Sequence, residues 1–306
     1  MEPKSSEIYS QGYEKWLGER NRALPAWYLI GTSAVRNLVG SSGCLARSLF
    51  IIFFVVYYFL VIASTVIRLQ WKTIAQWDFL RDLVSGLDPN RLGLEEVFYH
   101  KTWVLYPSLI FCSMVMIFYG SQLIAKDRSA NALQVYFSKA VSRIDYVVGK
   151  YLAVGILTSL TTLVPSAMML VLGLILSPER VGFLSQSWFI PLVTISFWLV
   201  LSLVLGSVIL FFSASFDKSY LAAVSFIGFL FFALILTGFL ILIFGHSHFV
   251  EGLNWGGGLV HVGNILFDRK VSSWNETLWK SFDLLLIVLV FGALIFKKIK
   301  PVEVVK

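Results

Sequence analysis

The chain has 306 residues, of which 57% are hydrophobic and only 14% are charged, and its formal net charge is +7. A soluble domain has about 25% charged residues, so this composition excludes a water-soluble globular protein and indicates that the lipid bilayer is part of the solvent. Membrane topology and anionic lipid headgroups account for the basic excess, and no nucleic-acid partner is expected.

Residues 1–45 are predicted to form a cytoplasmic elbow segment, because apolar residues recur there at helical spacing with charged residues between them. The apolar face of this amphipathic helix comprises Ile8, Tyr13, Trp16 and Leu17. Aromatic rings suit the headgroup zone, so we expect the helix to lie on the inner leaflet in contact with membrane lipids. Docking of the same face on a cytoplasmic partner is the alternative. A second amphipathic stretch follows Pro25.

Residues 46–298 are predicted to form an all-α transmembrane domain, because six stretches approach the roughly 20 apolar residues that cross about 30 Å of hydrocarbon. These spans lie near residues 48–67, 102–125, 151–176, 187–212, 219–244 and 279–297. The sixth span carries Lys280 and Asp283 in its first turns. The place of Asp283 near the outer end favours an interface residue over one that lines a pore. Pro165 is expected to kink the third span.

Both termini are predicted to be cytoplasmic. With this orientation 16 of the 25 Lys and Arg residues lie on the cytoplasmic side and 9 on the outer side, in agreement with the positive-inside rule. The cytoplasmic side then carries the elbow segment, the segment 126–150 and the tail 299–306, and the outer side carries the loop 245–278.

Segment 126–150 is a polar island between two long apolar runs, and it holds the candidate contact with a soluble partner. Ser142 stands three residues before Asp145, which predicts an N-terminal cap on the helix of the third span. Upstream, the spacing predicts a short helix whose apolar face includes Leu133 and Phe137, with Tyr136 beside it. This face either binds a partner or folds back onto the membrane domain, and spacing does not decide between the two.

The outer loop 245–278 holds three histidines, His246, His248 and His261. Their presence suggests a metal site, but no HExxH motif occurs and no spacing fixes a third ligand. Nearby glycines indicate a mobile loop, so we expect no metal site here.

An ordered series of residues runs through the polar island: Asp127, Leu133, Ser138, Val141, Ser142, Arg143, Gly149 and Lys150. This series resembles the permease subunits of ABC type 2 transporters. In that family an acidic residue after the second span is followed by a small-residue segment that leads to a leucine, then by an S-x-P-[VI]-S-R segment and a GK pair. The chain departs from the pattern at Asp127, where the family has glutamate, and at Ala140, where it has proline.

The resemblance implies a transport subunit with no catalytic residue and no cofactor of its own. In the family the segment between the second and third spans is a coupling helix that docks on a cytoplasmic ABC ATPase. Two ATPase copies close on ATP and drive a pair of permease subunits. This chain lacks a G-x-x-x-x-G-K-[ST] element, so ATP and Mg are expected on a separate ATPase.

The resemblance also implies roles for individual residues. The coupling residues would be Asp127, Arg128, Leu133, Tyr136, Phe137, Ser138, Ser142, Arg143 and Lys150. In these relatives the segment between the last two spans caps the exit path, which implies that role for Phe249 and Trp255.

The predicted function is export of a lipophilic, amphipathic or peptidic substrate across the cell (inner) membrane of a bacterium or archaeon. The chain would work with a second permease subunit, identical or homologous. Two alternatives stay open. One is an intramembrane enzyme with an outer site built from His246, His248 and Glu251, which would act without any ATPase. The other is an ABC-like membrane anchor that uses ATP for signalling or envelope remodelling.

Overall fold

Helices make up nearly all of the structure, which is a computed structural model. It describes residues 24–41, 44–74, 76–79, 100–138, 141–177, 179–245, 247, 250, 254–271 and 273–299. No strand occurs among these residues. The predicted elbow residues Ile8, Tyr13, Trp16 and Leu17 lie outside the described residues.

The helices follow the apolar runs of the sequence. In chain order they are α1 (Ala26–Ser41), α2 (Cys44–Leu69), α3 (Trp71–Ile74), α4 (Lys101–Ser129), α5 (Ala132–Ser138), α6 (Arg143–Ser159), α7 (Leu163–Leu176), α8 (Arg180–Ser187), α9 (Ile190–Ser215), α10 (Ser219–Phe244), α11 (Trp255–Asp268) and α12 (Trp274–Lys298). Six segments are long and apolar enough to cross a membrane: α2, α4, α6 with α7, α8 with α9, α10 and α12. This confirms the predicted all-α membrane protein with six spans.

Several of the spanning helices extend further than the apolar runs alone predicted. The second span continues to Ser129, the third begins at Arg143, and the sixth begins at Trp274. The fourth runs from Arg180 to Ser215. Polar residues therefore extend these helices beyond the stretch that hydropathy marks, and much of the segment 126–150 is helical.

The second span contains a π-helical turn at Met116–Gly120, and the fourth span supports the backbone beyond it. The hydroxyl oxygen of Ser213 in α9 accepts hydrogen bonds from the amide groups of Ile124 (2.9 Å) and Ala125 (3.0 Å). The same hydroxyl donates to the carbonyl oxygen of Ser121 at 2.8 Å. Because hydrocarbon offers no alternative partners, these three bonds hold α4 and α9 firmly together.

The third span is interrupted between α6 and α7, just before Pro165. Proline has no amide hydrogen to donate to the carbonyl oxygen four residues earlier, which belongs to Thr161. The hydroxyl group of Tyr57 donates to that oxygen at 3.2 Å, and the hydroxyl of Tyr58 donates to the carbonyl oxygen of Leu160 at 2.7 Å. The predicted kink is therefore present, and two tyrosines of the first span satisfy the backbone that it exposes.

Helix α1 crosses α6 at a pair of glycines, where the two backbones touch. A Cβ atom on Gly149 would lie 2.7 Å from the carbonyl oxygen of Trp27 and 2.9 Å from the Cβ atom of Ile30. A Cβ atom on Gly31 would lie 2.8 Å from the carbonyl oxygen of Gly149. Ile30 and Leu38 are buried at this crossing. The second amphipathic stretch thus packs on the third span through its buried face.

Replacement of Gly149 by Ala is expected to destabilise the protein by about 1–3 kcal/mol, because the added methyl group overlaps the backbone of α1. Gly228→Ala in α10 is the matched control, since no atom lies within 4 Å of its new methyl group and alanine favours a helix. Thermal unfolding in detergent measures both. An equal or higher midpoint for Gly149→Ala would contradict the close crossing.

Candidate functional site

A buried ion pair joins the two ends of the segment that links the second and third spans. The ammonium group of Lys150 in α6 lies 2.7 Å from Oδ2 of Asp127 in α4. The side chains are only 3% and 19% exposed, respectively. The hydroxyl of Tyr146, one turn before Lys150, donates to the same carboxylate oxygen at 2.7 Å. The Lys150 ammonium also lies 5.1 Å from the centre of the Tyr146 ring, which adds a cation–π contact.

This arrangement explains why an aspartate, a glycine and a lysine (Asp127, Gly149 and Lys150) occur together. A buried carboxylate needs a cation and hydrogen-bond donors, and a buried ammonium needs an anion. Gly149 lets α1 approach, and its neighbour Lys150 can then be covered. The GK pair is therefore a packing contact followed by a buried charge, and both features lie at the start of the third span.

A half-open cavity of about 60 Å³ adjoins the pair. Its walls come from α1, from the end of α4 and from Tyr136 of α5, and its polar lining includes Asn37, Gln122 and Lys126. A space of this size and polarity suits a few water molecules. The ion pair is thus shielded on most sides and faces a small polar space on one.

Helix α5 turns its predicted apolar residues toward the membrane domain. Its start follows a tight turn at Asn131, whose backbone is left-handed with φ 52°. Leu133, Tyr136 and Phe137 are half-buried and pack against the core. The ring of Tyr146 lies 5.5 Å from that of Tyr136 and 5.9 Å from that of Phe137, measured between ring centres.

The opposite side of α5 is exposed. It comprises Asn131 at the preceding turn with Gln134 and Val135, and we call it the exposed face of α5. Val135 is 56% exposed. Val135 was not among the residues predicted from the sequence, because the three larger apolar residues dominate the helical pattern. Helical spacing does place Val135 about 160–200° around the helix from Leu133 and Phe137, on the side opposite to them.

Burial of Tyr136 has an electrostatic consequence. It raises the pKa of the phenol, and the nearby Asp127 carboxylate raises it further. Both effects favour the neutral form of the phenol, which packs against Tyr146.

Arg128 connects the same region to the fourth span. Its Nε donates to Oδ1 of Asp217 at 2.9 Å, and its Nη1 donates to the carbonyl oxygen of Ala214. Asp217 lies in the short connection between α9 and α10. Of the predicted orienting charges, Asp127 and Arg128 thus bind within the chain, whereas Arg143 is exposed.

The predicted cap of the third span is confirmed. The Ser142 hydroxyl oxygen accepts from the amide of Asp145 at 3.0 Å, and the Asp145 carboxylate accepts from the Ser142 amide at 3.4 Å. This capping box satisfies amide groups that the first helical turn leaves free. The side chain of Ser138 lies outside the described residues, as do Lys139 and Ala140.

The loop predicted to cap the exit path contains a helix that packs inside the bundle. Trp255, at the start of α11, is only 8% exposed and stacks on Phe229 of α10, with ring centres 5.9 Å apart. At the other end of α11, Asp268 forms an ion pair of 2.7 Å with Lys101 at the start of α4. Helix α11 therefore packs against other helices of the bundle at both of its ends. Trp255 is buried there, its role in a cap over the exit path stays a prediction, and Phe249 lies outside the described residues.

His261 of α11 is held by the sixth span. Its Nε2 lies 3.0 Å from Oγ1 of Thr277, and its Nδ1 lies 3.5 Å from a carboxylate oxygen of Glu276. Burial lowers the pKa of His261, the Lys280 ammonium lowers it further, and Glu276 raises it. In the part of the chain that the structure describes, no group of three or more His, Cys, Asp or Glu side chains could hold a metal ion. His246, His248 and Glu251 lie outside that part.

Loss of Lys150 alone is expected to be more damaging than loss of the whole pair. Lys150→Met would leave the Asp127 carboxylate buried without its cation and reduce the free energy of unfolding by about 3–5 kcal/mol. Asp127→Asn combined with Lys150→Met would recover much of that loss, because no buried charge remains. Unfolding midpoints of the two single variants and the double variant test this.

Lys126→Met serves as the control, since Lys126 is exposed and interactions of exposed charges contribute little to stability. Strictly additive losses for the Asp127 and Lys150 variants would show that the pair is not a coupled unit.

Comparison with known proteins assigns the family. The model of a protein family described as ABC-2 family transporter protein matches residues 95–297, which is more than half of the chain. The matched region begins just before α4 and includes the Asp127–Lys150 pair, α5 and α11. No curated protein and no solved structure matches the chain. The chain therefore belongs to the ABC-2 family of transporter proteins and is a membrane permease component of an ABC transporter.

Proposed function

We propose that this chain is the permease of an ATP-driven exporter and that it receives the motion of a separate ATPase through the exposed face of α5. The observation that carries the proposal is the buried Asp127–Lys150 pair, which fixes α5 between two spanning helices. A short helix held in this way can present a defined surface to a partner. Leu133, Tyr136 and Phe137 pack against the core on the other side of the helix.

The contacts around α5 provide a route for force into three spans. Asp127 and Lys150 join α4 to α6, and Arg128 joins the end of α4 to the end of α9. Helix α1 rests on α6 at Gly149. A displacement of α5 would therefore move the ends of α4, α6 and α9 together, since these contacts are short and the Asp127–Lys150 pair is buried.

The second and third spans also contain irregular turns at which such a displacement would bend the helix. The π-helical turn at Met116–Gly120 and the interruption before Pro165 both weaken the regular helical ladder. Movement at the predicted cytoplasmic ends would thus change the angles of the second and third spans. The proposed substrate is lipophilic, amphipathic or peptidic, and it is exported. Two ATPase copies bind ATP and Mg, and a second permease subunit completes the transporter.

Val135→Asp is expected to weaken association with the ATPase by about tenfold or more while leaving the fold intact, because the new charge falls on the exposed face of α5. The measurement is co-purification in mild detergent of the tagged chain, expressed with its neighbouring genes. ATP hydrolysis by the purified complex provides a second readout.

Val181→Asp is the matched control, since Val181 is 82% exposed on α8 at the predicted outer side. Leu133→Asp and Phe137→Asp provide a contrast, because their half-buried positions predict lower thermal stability in the isolated chain. Wild-type recovery of the ATPase with Val135→Asp would exclude docking at this face. Failure to recover any protein with a Walker A sequence would remove the ATPase from the proposal.

A further inference from the structure

Asp283 lies inside the membrane-spanning part of α12, at the edge of the seam with α11. It is nine residues after Trp274, which places it about 13 Å along the helix from the predicted outer end. Glu276, Lys280 and Asp283 share one side of α12 because they are spaced by four and three residues. Helix α11 packs beside them, since a Cβ atom on Gly258 would lie 3.7 Å from the carbonyl oxygen of Lys280.

Asp283 differs from its two charged neighbours in having no described partner. The Lys280 ammonium binds the carboxylate of Glu276, one turn nearer the outer end. Oδ2 of Asp283 is shielded from solvent, and no hydrogen-bond partner for it exists among the described residues. This side of α12 therefore carries two carboxylates, Glu276 and Asp283, and one ammonium group, Lys280. The ammonium group pairs with Glu276, the carboxylate nearer the outer end.

The enclosure of Oδ2 favours a carboxylate held within the protein over one that reaches out to the interface. A snorkelling side chain would place both oxygens in water or headgroups, whereas Oδ2 is enclosed. Ionisable side chains at such depth are stabilised by a counter-charge and tend to mark the path of a substrate or ion.

The surroundings of Asp283 suit a cation attached to an apolar body. Its helical neighbours Trp279, at i−4, and Leu286, at i+3, are 44% and 46% exposed. An indole face attracts an ammonium or similar cation, and an aliphatic side chain contacts hydrocarbon. Asp283 itself is only partly buried, so a ligand can approach it.

We propose that Asp283 is a binding site for the cationic group of a lipophilic substrate at the edge of the α11–α12 seam. The proposal rests on the transport function proposed above and specifies its substrate class. The carboxylate supplies the counter-charge, Trp279 covers one side of the cation, and the exposed apolar side chains of α12 contact the remainder of the molecule.

Equilibrium binding of tetraphenylphosphonium to the full-length chain in lipid nanodiscs tests the site without any ATPase. Asp283→Asn is expected to weaken binding about tenfold or more, because the amide lacks the negative charge. Asp283→Glu should restore much of it. Glu179→Gln, which removes an exposed outer carboxylate, should leave binding unchanged. Uncharged tetraphenylsilane should not distinguish Asp283→Asn from the wild type.

Two outcomes would overturn the proposal. Unchanged tetraphenylphosphonium binding by Asp283→Asn would show that the carboxylate does not bind the cation. Labelling of Asp283 by dicyclohexylcarbodiimide that tetraphenylphosphonium fails to prevent would show a carboxyl group that is simply protonated. If Asp283→Asn instead dissociated a dimer while binding stayed unchanged, the carboxylate would be a contact between copies.

The two proposals fail separately. ATPase association depends on the exposed face of α5 and is measured by co-purification, whereas cation binding is measured on the chain alone. A chain that binds the cation but recovers no ATPase would refute only the coupling proposal. A chain that recovers the ATPase but loses no cation affinity in Asp283→Asn would refute only the substrate class.

Discussion

The pairing of Asp127 with Lys150 is the constraint on which the rest of the predicted cytoplasmic side depends. Each charge needs the other because both lie largely out of water. The Tyr146 hydroxyl donates a hydrogen bond to the same carboxylate. The pair connects the end of the second span to the start of the third, so the chain between them is a closed hairpin. The positions of α1 and α5 follow from that closure, since both helices pack beside it.

In the proposal, one side of α5 packs against the membrane domain and the opposite side contacts the ATPase. Tyr136 and Phe137 pack on Tyr146 and give α5 a fixed orientation. The other side of α5 is exposed and is the proposed contact with the ATPase. A surface whose support is already assembled loses little conformational entropy on binding, which is the physical advantage of preorganisation. The same division explains why Leu133, Tyr136 and Phe137 are half-buried while Val135 is exposed.

The sequence was sufficient wherever a property depends on neighbouring residues. The six spans follow from continuous hydropathy, and the cap at Ser142 and Asp145 follows from a three-residue spacing. Features that depend on distant partners were not predictable in this way. The side of α5 that faces inward is set by Tyr146. The backbone before Pro165 is completed by Tyr57 and Tyr58, about a hundred residues earlier. The burial of Trp255 depends on Phe229, which hydropathy of the loop alone cannot reveal.

The Ser213 hydroxyl has a consequence for how the protein can change shape. Its three hydrogen bonds to the backbone of α4 lie where no water molecule can replace them. Sliding of α9 along this part of α4 would break all three at once, so the end of α4 beyond the π-helical turn is expected to move together with the end of α9. A change in the angle of the second span would then be concentrated at the turn Met116–Gly120 rather than at its contact with Ser213.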